Sequence, residues 1–191
     1  MKKPLNPFRE QNKEDFKLFA EEFGGETDRA AVILGAAKLY ILLYHLIQKT
    51  LLPNTSSNDE LLDGDAPIST FSSRINLAFR LGLIDPELTR ALHLVKKIRN
   101  IFAHELSKSS LNSGVHKDRI DELVGPLSKH EMFNILTKTF FKGSLDTARL
   151  FRSAVAFICL RLMGASERAE RLKDENVTSL LFEISESQDT T

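Results

Sequence analysis

One short segment holds the polar groups of this chain whose types and spacing could do chemistry together. Residues 97–104 contain a guanidinium at Arg99, which binds anionic groups, and end with an imidazole at His104, which can act as an acid or a base. Asn100 and His104 are four residues apart, so on a helix their side chains share a face and can hydrogen-bond each other. This segment is the first place to look for a functional site.

The helix that must carry this segment has a strong start signal. Asp85 suits an N-cap, Pro86 suits the first helical position, and Glu87 places a second acid at the positive end of the helix dipole. Apolar residues at helical spacing continue to about residue 106. We therefore predict one amphipathic helix from Pro86 onward, with residues 97–104 in its last turns.

Arg99 is the unusual residue of this helix. With about 100° between successive residues, it falls between Leu88 and Leu92, inside the apolar sector, whereas His104 lies on the polar side. A guanidinium in that sector must meet a carboxylate, carbonyl groups or a partner's surface, because an unpaired buried charge is costly. The plain interpretation is that Arg99 is ion-paired inside the protein and that His104 is solvated or caps the helix.

The remaining candidates are basic side chains. Arg74 and Arg80 lie on the preceding helix, away from or at the edge of its apolar face, and are more often solvated than anion-binding. Together with Lys96 they are the best basic supplement to Arg99 in a binding site. No metal site is expected, because turns and caps explain the acidic residues and the other histidines lack ligand spacing; the residues concerned are Asp63, Asp65, Asp85, His116 and His130.

Composition limits the classes of protein. The 191 residues are 42% hydrophobic, enough for a core, and 26 basic residues balance 26 acidic ones, which removes the simplest argument for direct DNA binding. The single cysteine, Cys159, lies in an apolar run and is interpreted as a buried structural thiol. No signal peptide or membrane span is indicated, so a soluble cytoplasmic protein is expected. We expect no cofactor.

Helical periodicity dominates the chain and no strand alternation is visible, which predicts an all-α bundle of about five to seven helices. A first helix carries Phe16, Phe19 and Phe23 and closes at two glycines. A long helix follows from Thr27 to about Leu51. Its apolar stripe is formed by Ala30, Leu34, Ala37, Ile41 and Tyr44.

Later segments complete the predicted bundle. A helix precedes Gly82, a capping box at 128–131 starts another helix, and a last long helix follows residues 143–144. Residues 107–114 are predicted to be a mobile loop and residues 185–191 a disordered tail. The expected organisation is an N-terminal helix packing on the bundle (1–26), a helical-bundle domain (27–170), and a short helix with a tail (171–191).

Three stretches of the sequence are similar to those of a known protein family. LLDGDAPISTFSSRI at 61–75, AFRLGLI at 78–84 and IRNIFAH at 98–104 closely resemble the mannitol operon repressor family, and the likeness covers roughly residues 27–106. The resemblance implies an all-helical cytoplasmic bacterial protein that regulates mannitol-utilisation genes. It also implies no recognisable DNA-binding module, so repression would act through a protein partner.

A shorter pattern resembles a second group. Arg99, Asn100 and His104 follow the arginine, polar residue, spacer and histidine pattern of the HEPN superfamily, helical bundles that often dimerise. In its nuclease members, the resemblance implies a metal-independent site where two such helices meet. His104 would be the acid/base, Arg99 the anion stabiliser and Asn100 the orienting residue. On one helix Arg99 and His104 point about 140° apart, so a second protomer would have to complete the site.

Two functions of different classes follow. The leading one is a non-enzymatic regulator of the mannitol operon repressor type, dimeric and working through protein contacts. The alternative is a HEPN-type endoribonuclease that binds RNA at a dimer interface. An interaction subunit without activity of its own is a third hypothesis.

Overall fold

The computed structural model describes residues 7–105, 110–112, 114–140 and 146–173, without the side chains of residues 7–13, 115 and 140. These residues form seven α-helices and no strand, which confirms the all-α fold class. The helices are α1 (Pro7–Gly25), α2 (Asp28–Thr50), α3 (Phe71–Arg80), α4 (Pro86–His104), α5 (Gly114–Leu127), α6 (Glu131–Phe140) and α7 (Thr147–Arg168).

Short polar side chains start most of these helices. The predicted start of α4 is confirmed, because Asp85 accepts from the Leu88 N–H at 2.8 Å and Pro86 is the first helical residue. The predicted capping box of α6 is wrong: the Ser128 hydroxyl donates to the Gly125 carbonyl at the end of α5 and does not cap α6. The helix α5, which contains Pro126, was not identified from the sequence.

Helices α2 and α7 form the centre of the bundle. Between Phe151 and Cys159 every residue of α7 is buried, and α2, α5 and α6 all pack against this helix. Helix α2 also packs on α3 and α4. It therefore joins the centre of the bundle to the helix that carries residues 97–104.

The buried face of α2 is not the one predicted. Leu34, Ala37 and Ile41 are exposed, with Ala30 and Tyr44 only half-buried. The face that enters the core lies on the opposite side and consists of Ala31, Val32, Gly35, Ala36, Leu39, Leu43, Leu46, Ile47 and Thr50. The prediction failed because α2 is apolar around most of its circumference, so periodicity does not distinguish its two faces.

The apolar character of α2 bears on the expectation that no segment of the chain spans a membrane. Among the helices of the described residues, α2 alone is long and apolar enough to cross a membrane, judged by length and composition. A core helix of a globular protein meets the same criteria, and α2 packs against α1, α3, α4 and α7 along its length.

A buried polar cluster fixes the first turn of α2. The Arg152 guanidinium on α7 lies 3.4 Å from Asp28 and donates to the Glu26 carbonyl at 2.6 Å. The other Asp28 oxygen accepts from the Leu111 N–H at 2.9 Å. Arg29 donates to the Glu105 carbonyl just after α4. Together these bonds tie the start of α2 to α7 and to the end of α4.

The remaining predictions concern the loop after α4, the C-terminal tail and the end of α4. Half of the loop predicted at 107–114 lies outside the described residues, and its last residue, Gly114, begins α5. The tail predicted at 185–191 lies wholly outside them. Within the described part, α4 ends at His104, two residues earlier than predicted, and Glu105 is its C-cap.

Candidate functional site

A cleft of about 460 Å³ opens between α2, the start of α3 and the later turns of α4, and we call it the α2–α4 cleft. Its α4 wall consists of Lys96, Arg99 and Asn100. Its other walls are Ile33, Ala36, Ala37 and Tyr40 of α2, together with Thr70, Phe71 and Ser72 at the start of α3. The cleft is thus basic on one side and mostly apolar on the α2 side.

Arg99 reaches this cleft as an exposed side chain, so its predicted burial and internal ion pair are wrong. Its Nη1 donates to the Asn100 Oδ1 at 3.1 Å. The reason is local packing: toward its C-terminal end, α4 buries only Val95, Ile98 and Phe102, a narrower arc than in its first turns. A projection of the whole helix merges the two arcs and places Arg99 inside the combined one.

Lys96 crosses the cleft toward α3. Its side chain is half-buried, and its Nζ donates to the Ser72 hydroxyl. Opposite it, the Tyr40 hydroxyl donates to the Ser69 carbonyl at 2.7 Å, which fixes the chain just before α3. These bonds hold both walls of the cleft in place. Tyr40 and Ser72 were not identified as site residues from the sequence.

The start of α3 is held by a capping box. Thr70 accepts from the Ser73 N–H at 3.0 Å, and Ser73 accepts from the Thr70 N–H at 3.1 Å. Among the described residues, the N–H groups of Phe71 and Ser72 have no acceptor, as is usual for the first turn of a helix. Two backbone donors therefore remain beside the cleft.

The structure does not bring His104 to Arg99. His104 is the last residue of α4, is exposed, and does not line the cleft, whereas Asn100 does. No bond between Asn100 and His104 is found in the described part of the chain. One protomer therefore offers Arg99, Asn100 and Lys96 as a group, and a composite site with His104 would need a second chain.

Arg74 and Arg80 have different surroundings. Arg74 is buried, not solvated as expected: its Nε donates to the Ile68 carbonyl at 3.1 Å and its Nη2 to the Leu62 carbonyl at 2.8 Å. Its guanidinium also lies 3.9 Å from the centre of the Tyr40 ring. Arg80 is exposed at the other end of α3, away from the cleft. Neither residue lines the α2–α4 cleft.

The electrostatic environment of the cleft is positive. None of the described residues that line it is acidic. Burial lowers the pKa of His93, one turn earlier on α4, and the nearby charges of Lys96 and Lys97 lower this pKa further. The same positive field would favour an anion in the cleft.

Two other kinds of chemistry find little support in the described residues. They contain no group of three or more histidine, cysteine, aspartate or glutamate side chains that could hold a metal ion. Cys159 is fully buried, and burial raises the pKa of its thiol to about 12, so it remains protonated. The prediction that this thiol is buried is confirmed.

Beside the cleft lies an exposed apolar surface, which we call the outer face of α2. It consists of the exposed Ile33, Leu34, Ala37 and Ile41 together with the half-buried Ala30. Ile33, Leu34 and Ile41 are 37%, 46% and 47% exposed, high values for large apolar residues that share one side of a helix. Ile33 and Ala37 belong to both the outer face and the cleft.

Comparisons with known proteins support the fold. No known family matches the chain, and no curated protein matches its sequence. The chain is similar to a chain in a solved structure described as "X-ray structure of the MtlR-HPr complex from Escherichia coli". The TM-score is 0.51 at 17% identity, over 83% of this chain and 99% of that chain. The protein therefore has the fold of MtlR, the mannitol operon repressor.

Proposed function

We propose that this protein is a regulator of the mannitol operon repressor type that acts by binding a protein partner. The observation that carries the proposal is the outer face of α2, which leaves a row of large apolar side chains in contact with water. Contiguous exposed apolar surface of this kind marks sites of association in soluble proteins. The fold likeness adds a candidate partner, because the similar chain was solved in complex with HPr.

The charges of the chain favour a protein partner over direct contact with an operator. The net charge is +0, and the basic residues of the cleft are few and lie beside apolar surface. A protein that neutralises several phosphates of duplex DNA needs a larger basic stripe. Under this proposal, control of transcription passes through the partner.

The test measures binding of the purified chain to HPr from the same organism by calorimetry, with variants of the outer face. Leu34→Ser and Ile41→Ser should each weaken the complex by about tenfold or more, because each removes buried apolar contact. Met132→Ser on α6 is the matched control, since Met132 is 50% exposed but lies on a different helix.

Two results would rule out a partner that binds at the outer face of α2 and so overturn the proposal. One is the absence of binding to HPr together with a pull-down from cells that finds neither a transcription factor nor polymerase. The other is an equal loss of affinity in Met132→Ser and in the outer-face variants, which would show that binding does not depend specifically on the outer face of α2. A shift of operator DNA by the isolated chain would replace the partner mechanism with direct binding.

A further inference from the structure

The α2–α4 cleft has the dimensions of a small-molecule site. Its volume of about 460 Å³ falls within the range of ligand pockets in proteins, roughly 300–1,000 Å³. Helix α2 supplies an apolar wall through Ile33 and Ala37, and Phe71 adds an aromatic ring. An apolar wall beside a few convergent polar groups is the usual composition of such sites.

The two cations of the cleft lack the carboxylate partners that three arginines of this protein have. Three arginines reach carboxylates: Arg90 lies 2.7 Å from Glu122, Arg152 lies 3.4 Å from Asp28 and Arg161 lies 2.6 Å from Glu87. In contrast, the contacts of Lys96 and Arg99 are with a neutral hydroxyl and a neutral amide. Two positive charges therefore face one cavity, and none of its described lining residues neutralises them.

The geometry favours a phosphate group as the anion. Arg99 presents several N–H donors in a planar fork, and Lys96 adds a compact charge. Phe71 and Ser72, whose N–H groups have no acceptor among the described residues, line the opposite wall. A phosphate monoester offers three acceptor oxygens and close to two negative charges at neutral pH. A carboxylate has fewer oxygens and only one charge, so it would satisfy fewer of these donors.

We propose that the α2–α4 cleft binds a small soluble organic phosphate monoester. Its phosphate lies between Lys96, Arg99 and the start of α3, and its organic part lies against Ile33, Ala37 and Phe71. This site goes beyond the proposed function and does not depend on it, because ligand binding requires no partner protein.

Calorimetry on the isolated full chain tests the proposal with three probes. Phenyl phosphate carries both the charge and an apolar ring, inorganic phosphate carries only the charge, and phenol carries only the ring. Phenyl phosphate should bind at one site per chain and more tightly than either of the other probes. High salt should weaken this binding, because the contact is largely electrostatic.

Two variants and a matched control identify the site. Arg99→Gln should weaken phenyl phosphate binding by about tenfold or more, because it removes charge-assisted hydrogen bonds, and Lys96→Gln should act in the same direction. Arg80→Gln should leave binding unchanged, since Arg80 is also exposed but lies at the far end of α3. Arg99 and Arg80 are on the surface, so circular dichroism should show the wild-type fold in both variants.

The proposal is overturned if phenyl phosphate shows no saturable binding, or if phenol binds as tightly. It is also overturned if Arg99→Gln binds phenyl phosphate like the wild type. Failure here leaves the proposed function standing, since that is measured separately with HPr and the outer-face variants. Conversely, a chain that binds phenyl phosphate but no partner would retain this site and lose the regulatory proposal.

Discussion

At the scale of single residues, the structure reverses the burial that the sequence predicts for two arginines. The sequence places Arg99 inside the apolar sector of its helix and leaves Arg74 solvated, whereas Arg99 is exposed and Arg74 is 4% exposed. A helical projection gives the direction of a side chain, but it does not show where the neighbouring helices end. The buried environment of Arg74 comes from the 62–68 segment and two tyrosines of α2, which are distant in sequence.

Arg74 should therefore be the more important arginine for stability. We expect Arg74→Ala to lower the free energy of unfolding by about 2–4 kcal/mol, because two carbonyls lose a charged donor and two tyrosine rings lose a stacking partner. Arg74→Lys should recover only part of this loss, since an ammonium cannot reproduce the planar fork. Urea denaturation at neutral pH measures both variants.

The matched control for this prediction is Arg80→Ala on the same helix. An exposed side chain of this kind should change stability by less than about 0.5 kcal/mol. Equal stability of Arg74→Ala and Arg80→Ala would show that the contacts of Arg74 with Leu62 and Ile68 contribute nothing to the fold.

At the scale of the elements, local signals predicted where helices begin better than which faces they bury. The start of α4 follows from Asp85 and Pro86, whose capping geometry depends on neighbouring residues alone. The buried face of α2 depends on where α3, α4 and α7 pack, which periodicity cannot supply when both faces are apolar. The cleft was not predicted either, because three separate helices form it and periodicity does not show how they pack.

Gly35 marks the side of α2 that packs most closely. A Cβ placed there would lie 3.1 Å from Val155 Cγ1 and 3.2 Å from the ring of Phe23, both fully buried side chains. We expect Gly35→Ala to destabilise the protein by about 1–2 kcal/mol, because crowding in a packed core outweighs the gain in helix propensity. Thermal unfolding followed by circular dichroism measures the change.

Gly164 in α7 provides the comparison. The nearest atom to an added Cβ there is Arg168 Nη1 at 3.5 Å, an ordinary contact with a flexible side chain. Gly164→Ala should therefore raise stability by about 0.5–1 kcal/mol through helix propensity. If Gly35→Ala is stabilised to the same extent, α1 and α7 pack less tightly on α2 than these distances indicate.

At the scale of the whole molecule, the possible nuclease site depends on assembly. A single chain groups Arg99 with Asn100 and Lys96 in the cleft, whereas His104, at the end of α4, does not line it. The sequence predicts that Arg99 and His104 point about 140° apart, because the angle between two residues of one regular helix follows from their spacing. The sequence could not predict the outer face of α2, because that face depends on what the other six described helices leave uncovered.

A regulator without catalysis should not cleave RNA. We expect wild type and His104→Ala to show the same absence of cleavage when incubated with RNA in the presence of EDTA, which removes contaminating metal-dependent nucleases. Gel electrophoresis of the RNA provides the measurement. Cleavage by the wild type that is lost in both His104→Ala and Arg99→Gln would instead support the ribonuclease alternative and a composite site at a dimer interface.

Ile33 and Ala37 form part of the cleft and part of the outer face of α2. Two occupants that compete for the surface of the same side chains do not bind independently, and their coupling free energy is the same whichever binds first. If both proposed sites are used, a metabolite in the cleft changes the affinity for the partner by the factor by which the partner changes the affinity for the metabolite. The fraction of this protein bound to its partner would then depend on the concentration of the metabolite through the shared side chains of α2. No conformational change would be required.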